Sequence, residues 1–274
     1  MFRWRHFLIT GLAFAAALAG GSAQAAFILT PLRQVITADA PRATYVISNP
    51  SGRTIDARIS WIDLKAVETG YAPAPTQLRE RMSAAPYLIV SPTFLTLEPG
   101  ARETITVSLR GGAKPPKGER RSHLLIESDA GRTLLRKASG GIQLDLDTAI
   151  STPVILRGGG GNAKAKISDT RLLRNKDGGM DLETMIEPHG SRSAYGFLTA
   201  SFKPKTGPNA GRESEIARIE NIAAYPEAPR RKVVFPLHVT RFEEGVLTLR
   251  YVGSSEYTGM TFDKRAFQVG APEE

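Results

Sequence analysis

The stretch from Gly141 to Arg157 constrains this chain more than any other: Ile142, Leu144, Leu146, Thr148 and Ile150 alternate with Gln143, Asp145, Asp147 and Ala149. Period-two alternation puts the apolar set on one face of a β-strand, and that face has to be covered. Burying the aliphatic side chains of the row is worth about 1.5–3 kcal/mol each before ordering costs. The row is therefore either a core strand of its own domain or an edge strand whose apolar side is kept for another chain. Asp145 and Asp147 share the opposite face, where they read as solvated carboxylates that protect an edge from aggregation rather than as an acid–base pair.

The N-terminus predicts export. A basic head (Arg3, Arg5) precedes an apolar run from Phe7 to Ala19 and a small-residue ending, Ala23-Gln24-Ala25. This pattern describes a cleavable signal over residues 1–25, with cleavage after Ala25. No later segment approaches the roughly 18 apolar residues of a membrane helix, so no stable membrane insertion is expected. Loss of Arg3 and Arg5 lowers the formal charge from +9 to +7. The remaining basic residues are scattered; the densest group, Lys114 to Arg121, reads as a solvated loop. No recognition motif accompanies the charge, and no nucleic acid is expected as a partner. The chain has no cysteine. Thiol catalysis, thiolate metal sites and disulfides are therefore excluded, and stability has to come from hydrophobic cores.

Beyond the signal, short strand-like runs alternate with Pro, Gly and Asn punctuation. Residues 43–48, 55–64, 87–90, 94–97, 105–109, 123–127 and 142–156 give about seven strands, and this spacing predicts an immunoglobulin-like sandwich over residues 26–157. Trp61 reads as one of its core residues. Gly158 to Asn162 reads as a Gly-rich linker, since no Lys-Ser/Thr follows to make a phosphate loop. A second β-sandwich is predicted over residues 163–274, from runs at 182–186, 195–202, 216–223, 233–239 and 246–251, with Asp177-Gly178-Gly179 as a hairpin turn. The fold class is all-β, two immunoglobulin-like sandwich domains, with a short helix near Gln77–Ser83.

Little in the sequence points to catalysis. His123, His189 and His238 lie far apart and lack metal-helix spacing, and no serine carries a nucleophile-elbow motif. No catalytic, cofactor-binding or metal-binding residue stands out, and the chain reads as a non-enzyme that needs no cofactor.

Several segments together resemble the periplasmic pilus-assembly chaperones of the PapD-like type. They are Thr30-Pro31-Leu32-Arg33-Gln34-Val35-Ile36, Tyr45 to Pro50, the strand around Trp61, Val90 to Gly100, and Arg120 to Leu125 followed by the 142–157 strand. The resemblance covers residues 27–157, whereas Pro188 to Gly196 and Ala224 to Arg231 look like a divergent branch. It implies a periplasmic chaperone that stabilises pilus or fimbrial subunits by lending them a strand, then passes them to an outer-membrane usher. The subunit-binding residues it implies are Ile142, Leu144, Leu146 and Ile150 for the lent row, and Arg33 for the C-terminal carboxylate of a pilin-like secreted subunit. Where many members carry a second anchoring lysine, this chain has Thr152 or Pro153, so Arg33 acts alone or with a cation such as Arg157 or Arg136. Pro153 also removes a ladder donor from the strand. The competing reading is a structural or adhesive envelope sandwich whose alternating row is its own core.

Overall fold

The computed structural model describes residues 27–111, 113–129 and 149–270. The proposed signal over 1–25, Arg136, Ile142, Leu144, Asp145, Leu146 and Asp147 lie outside the described residues.

Two β-sandwiches follow one another along the chain. In the first, one sheet is built from β1 (Ile28–Thr30), β3 (Arg42–Ser48), β9 (Arg102–Leu109) and β7 (Leu88–Ser91), in that order. The facing sheet runs β2 (Gln34–Ile36), β11 (Ala149–Gly158), β10 (Gly118–Asp129), β4 (Ile55–Ile62) and β8 (Phe94–Leu97). Alternation along these strands points Tyr45, Ile47, Ile105 and Val107 from one sheet at Ile59, Leu97, Leu124, Ile126, Val154 and Leu156 from the other. Trp61 is half-buried against this core, as its strand context predicts. A hairpin of β5 (Leu64–Val67) and β6 (Gly70–Pro73) and a short helix α1 (Thr76–Met82) link β4 to β7.

The second sandwich packs a sheet of β12 (Ala165–Arg174), β13 (Met180–Pro188) and β16 (Arg231–Leu237) on one of β15 (Ser214–Ala224), β14 (Ala194–Pro204), β17 (Gly245–Gly253) and β18 (Thr261–Val269). Ile167, Leu182, Ile186, Phe235, Leu198, Leu249 and Tyr251 fill it. The hairpin turn expected at Asp177-Gly178-Gly179 joins β12 to β13, with Gly178 at φ +82°.

Four local readings change. The run Thr30–Ile36 is two strands on different sheets, because Pro31 has no N–H to continue the β1–β3 ladder. Residues 118–121 of the expected solvated loop begin β10, and Arg121 is buried. Gly158 is not loose: it ends β11 opposite Gly118, and a Cβ there would meet the Pro116 carbonyl at 2.3 Å. The next residues are held too, since the Arg192 amide donates to the Asn162 carbonyl at 2.9 Å. β11 passes through Pro153, which pairs with His123 on the β10 side; β2 takes up the other side only from Val154 to Leu156. The β5–β6 hairpin and β18 carry weak alternation and had no sequence signal.

Ile126 lies mid-strand in β10 with no exposure. Ile126→Ala is expected to cost about 2–5 kcal/mol in urea unfolding; a loss under about 1 kcal/mol would be inconsistent with its place in the core.

Candidate functional site

Along residues 121–124 of β10 and 154–157 of β11 both faces are buried. Their even-numbered residues Leu124, Ile126, Val154 and Leu156 enter the first core. Period two then turns Glu119, Arg121, His123, Ile155 and Arg157 toward the second sandwich. Ile155 is apolar and packs with Val35, Ala66, Ala223, Tyr225 and Ala228. The charged members each meet a counter-charge, as buried ions must.

Arg33, between β1 and β2, leaves only 4% of its side chain exposed. Its Nη1 and Nη2 donate to the two carboxylate oxygens of Glu256 at 2.9 and 2.8 Å, a bidentate fork. Arg157 joins the same carboxylate, Nη1 donating to Glu256 Oε1 at 2.8 Å, while its Nε donates to Glu119 Oε2 at 2.8 Å. The other oxygen of Glu119 accepts the Ser193 amide at 3.1 Å. Tyr195 lies under the Arg33 guanidinium, 4.5 Å from ring centroid to carbon. Two arginines and two carboxylates thus form a charge-balanced chain across the junction.

A second arginine group lies farther along β10. Arg121 pairs with Glu227, donates to the Leu64 carbonyl at 2.9 Å and sits 3.7 Å over the Tyr225 ring. Glu227 also accepts the Ala66 amide at 3.1 Å. Tyr71 stacks edge-on against His123 at 4.8 Å between centroids.

The environment moves the ionisation of these groups. Burial opposes the charge on Arg33, but Glu256 outweighs it and raises its pKa. For Glu256, burial pushes the carboxyl up, yet the hydrogen bond and charge of Arg33, with Arg157 behind, hold it below the ordinary range. His123 is 1% exposed; burial, then the charge of Arg121, lowers it to about 3.

Of the sequence-predicted residues, Arg33 is at this junction and Ile150 is on β11, half-buried against the first core opposite Ile126. Thr152 holds the chain beside Arg33, its Oγ1 donating to the Leu32 carbonyl at 2.6 Å. Of the two cations raised from the sequence, Arg157 shares the Glu256 carboxylate with Arg33, and Arg136 lies outside the described residues. Glu256, Tyr195, Glu119 and the Arg121–Glu227 pair were not anticipated. The charged residues Glu119 and Arg121 did carry a signal, since they continue the odd-numbered face of the 123–127 strand. The divergent segments 188–196 and 224–231 supply Ser193, Tyr195, Tyr225 and Glu227. Among the described residues no group of three or more His, Asp or Glu side chains is arranged to hold a metal, and no helix is long and apolar enough to cross a membrane.

His123 generates a pH test. The unfolded imidazole takes up a proton near pH 6.5 and the folded one only near pH 3, so the unfolded state binds more protons between them. The stability tied to neutral His123 is complete above pH 6.5 and falls by about 1.4 kcal/mol per pH unit below it. Between pH 7 and pH 5 the wild type should lose about 2 kcal/mol more than His123→Leu in urea unfolding; equal losses would contradict a buried neutral imidazole.

No protein-family model matches the chain, and no curated protein matches it in sequence. Among solved structures, it is similar to the class 5 fimbriae chaperone CfaA at 13% identity and a TM-score of 0.43, over 90% of this chain and 100% of that one. It is similar to the Pseudomonas aeruginosa CupB2 chaperone at 14% identity and a TM-score of 0.41, over 89% and 100% of the two chains. For the E. coli chaperone DraB the values are 12% and 0.43, over 89% and 96%. Likeness at this level carries no conclusion about activity or partners.

Proposed function

We propose that this chain is a non-enzymatic periplasmic chaperone that holds pilin-like subunits by lending them the strand over residues 142–150, and delivers them to an outer-membrane usher. The observation that carries the reading is an open edge. Residues Ala149 to Pro153 of β11 pair with β10 on one side, and β2 covers the other side only at Val154–Leu156. Among the described residues no strand pairs with Ala149–Thr152 on that side, so an added strand can take this edge. In sequence the alternating row Ile142, Leu144 and Leu146 immediately precedes this edge, and a partner sheet pairing with it would receive both ladder hydrogen bonds and apolar side chains. Arg33 stands beside the same edge through the Thr152–Leu32 contact. Its role is to receive the C-terminal carboxylate of the subunit and so set the register. Export through a signal cleaved after Ala25 places the protein in the compartment where such subunits fold. Strand exchange at the usher requires no cofactor, because a better-fitting strand displaces the lent one.

A self-contained envelope sandwich is the second reading, favoured by Ile150, which packs on its own domain's core. Native mass spectrometry of protein purified from the periplasm of its own cells separates the two. The chaperone reading expects a one-to-one complex with a small secreted subunit that Leu144→Asp abolishes while the fold survives. A lone monomer, with subunits expressed, would favour the envelope protein. Arg33→Ala should weaken capture about tenfold or more, the scale of one charge-assisted contact; equal affinity for subunits with and without their terminal carboxylate would remove Arg33 from the mechanism.

A further inference from the structure

We infer that Glu256 is an internal occupant of the carboxylate seat at Arg33, and that a partner's terminal carboxylate binds there only by displacing it. The inference rests on the chaperone reading for the identity of the partner, but its geometry is independent of that reading. Among the described residues, both Nη atoms of Arg33 are engaged by Glu256 and by no other carboxylate. The two positive charges of Arg33 and Arg157 are already matched by Glu119 and Glu256. A third carboxylate would leave this buried group with an unmatched negative charge, which a site of low polarity resists. Entry of one therefore requires exit of another. Glu119 is 7% exposed and held by the Ser193 amide, whereas Glu256 is 25% exposed on a surface turn. Glu256 is accordingly the one that leaves.

Two further observations fit a seat made for exchange. Among the described residues Arg33 Nε is buried without a hydrogen-bond partner, so Glu256 leaves one donor of the guanidinium unmet. Ser255, the residue before Glu256, has φ +56°, a left-handed conformation that costs a non-glycine residue energy. The turn carrying Glu256 thus holds a strained residue next to the seated carboxylate. Rotation of the side chain about its own torsions suffices to empty the seat toward solvent.

The test uses the full mature chain and two probes. The first is sodium acetate against sodium chloride at equal ionic strength in thermal unfolding. Acetate should raise the midpoint of Glu256→Ala by about 2 °C or more over chloride, and should do nothing selective for the wild type or for Glu256→Ala combined with Arg33→Ala. The second is an N-acetylated pentapeptide of alternating valine and threonine, as free acid and as C-terminal amide. Glu256→Gln, which keeps the side-chain shape if the alanine variant does not fold, should bind the acid about tenfold or more tighter than the amide. The wild type should show a smaller ratio, and adding Arg33→Ala should return the ratio to about one. Equal acid-to-amide ratios in the wild type and Glu256→Gln, or no acetate selectivity in a folded Glu256→Ala, would overturn the inference. Neither readout involves the 142–150 row, so failure of the lent-strand reading leaves these outcomes separate.

Discussion

Period-two alternation in β10 and β11, strands buried on both faces along residues 121–124 and 154–157, is the constraint on which the rest of this structure depends. Once Leu124, Ile126, Val154 and Leu156 are committed to the first core, their odd-numbered neighbours Glu119, Arg121, Ile155 and Arg157 face the second sandwich. Three of those neighbours, Glu119, Arg121 and Arg157, are charged. Glu119 is matched by Arg157 beside it, and burying the two arginines obliges the second sandwich to present counter-charges, which Glu256 and Glu227 supply. The small apolar cluster around Ile155 and Tyr225 fills the space between the two ionic groups. The junction is thus a direct consequence of strand geometry in the first sandwich.

Ion pairs in such a place are poor evidence for stability but good devices for geometry. Desolvation offsets most of their attraction, whereas an arginine left without its carboxylate is strongly destabilising. The relative placement of the sandwiches is accordingly sharply specified: a small slip breaks the Arg33 fork, the Arg157 bridge and the Arg121–Glu227 pair together. The same property makes the seat at Arg33 responsive. A carboxylate of equal charge can replace Glu256 without loss of balance, while a neutral group cannot, so the chemistry that holds the junction also selects what can enter it.

Much of the first sandwich was legible in the sequence, because its strands are half-buried and write their faces into the residue pattern. The run 94–97 matches β8, and α1 over Thr76–Met82 falls within a residue of its predicted place at each end. β18 and β6 were not legible: β18 is mostly exposed or half-exposed along its length, and β6 contains Gly70 and Pro73, so neither shows an apolar face. The split of Thr30–Ile36 was signalled by Pro31, yet only the sheet order reveals that the two halves join opposite sheets. Lys114 to Arg121 misled for a physical reason. A cluster of charges is ordinarily solvated, and burial of Arg121 becomes possible only because a glutamate and a tyrosine from more than a hundred residues away enclose it.

What the sequence determined by itself was local and periodic: an all-β chain, stabilised without cysteine, with an alternating row leading into β11 and a lone arginine ahead of it. Alternation is a property of neighbouring residues, so it needs no partner to be read. What the tertiary structure decided was which residues meet. That Arg33 and Arg157 share one carboxylate, and that it belongs to Glu256, 223 residues from Arg33, depends on how two sandwiches fold and pack. Charge pairing across such a separation leaves no periodic trace in the chain; it is imposed by desolvation, which makes every buried charge at the junction require a partner.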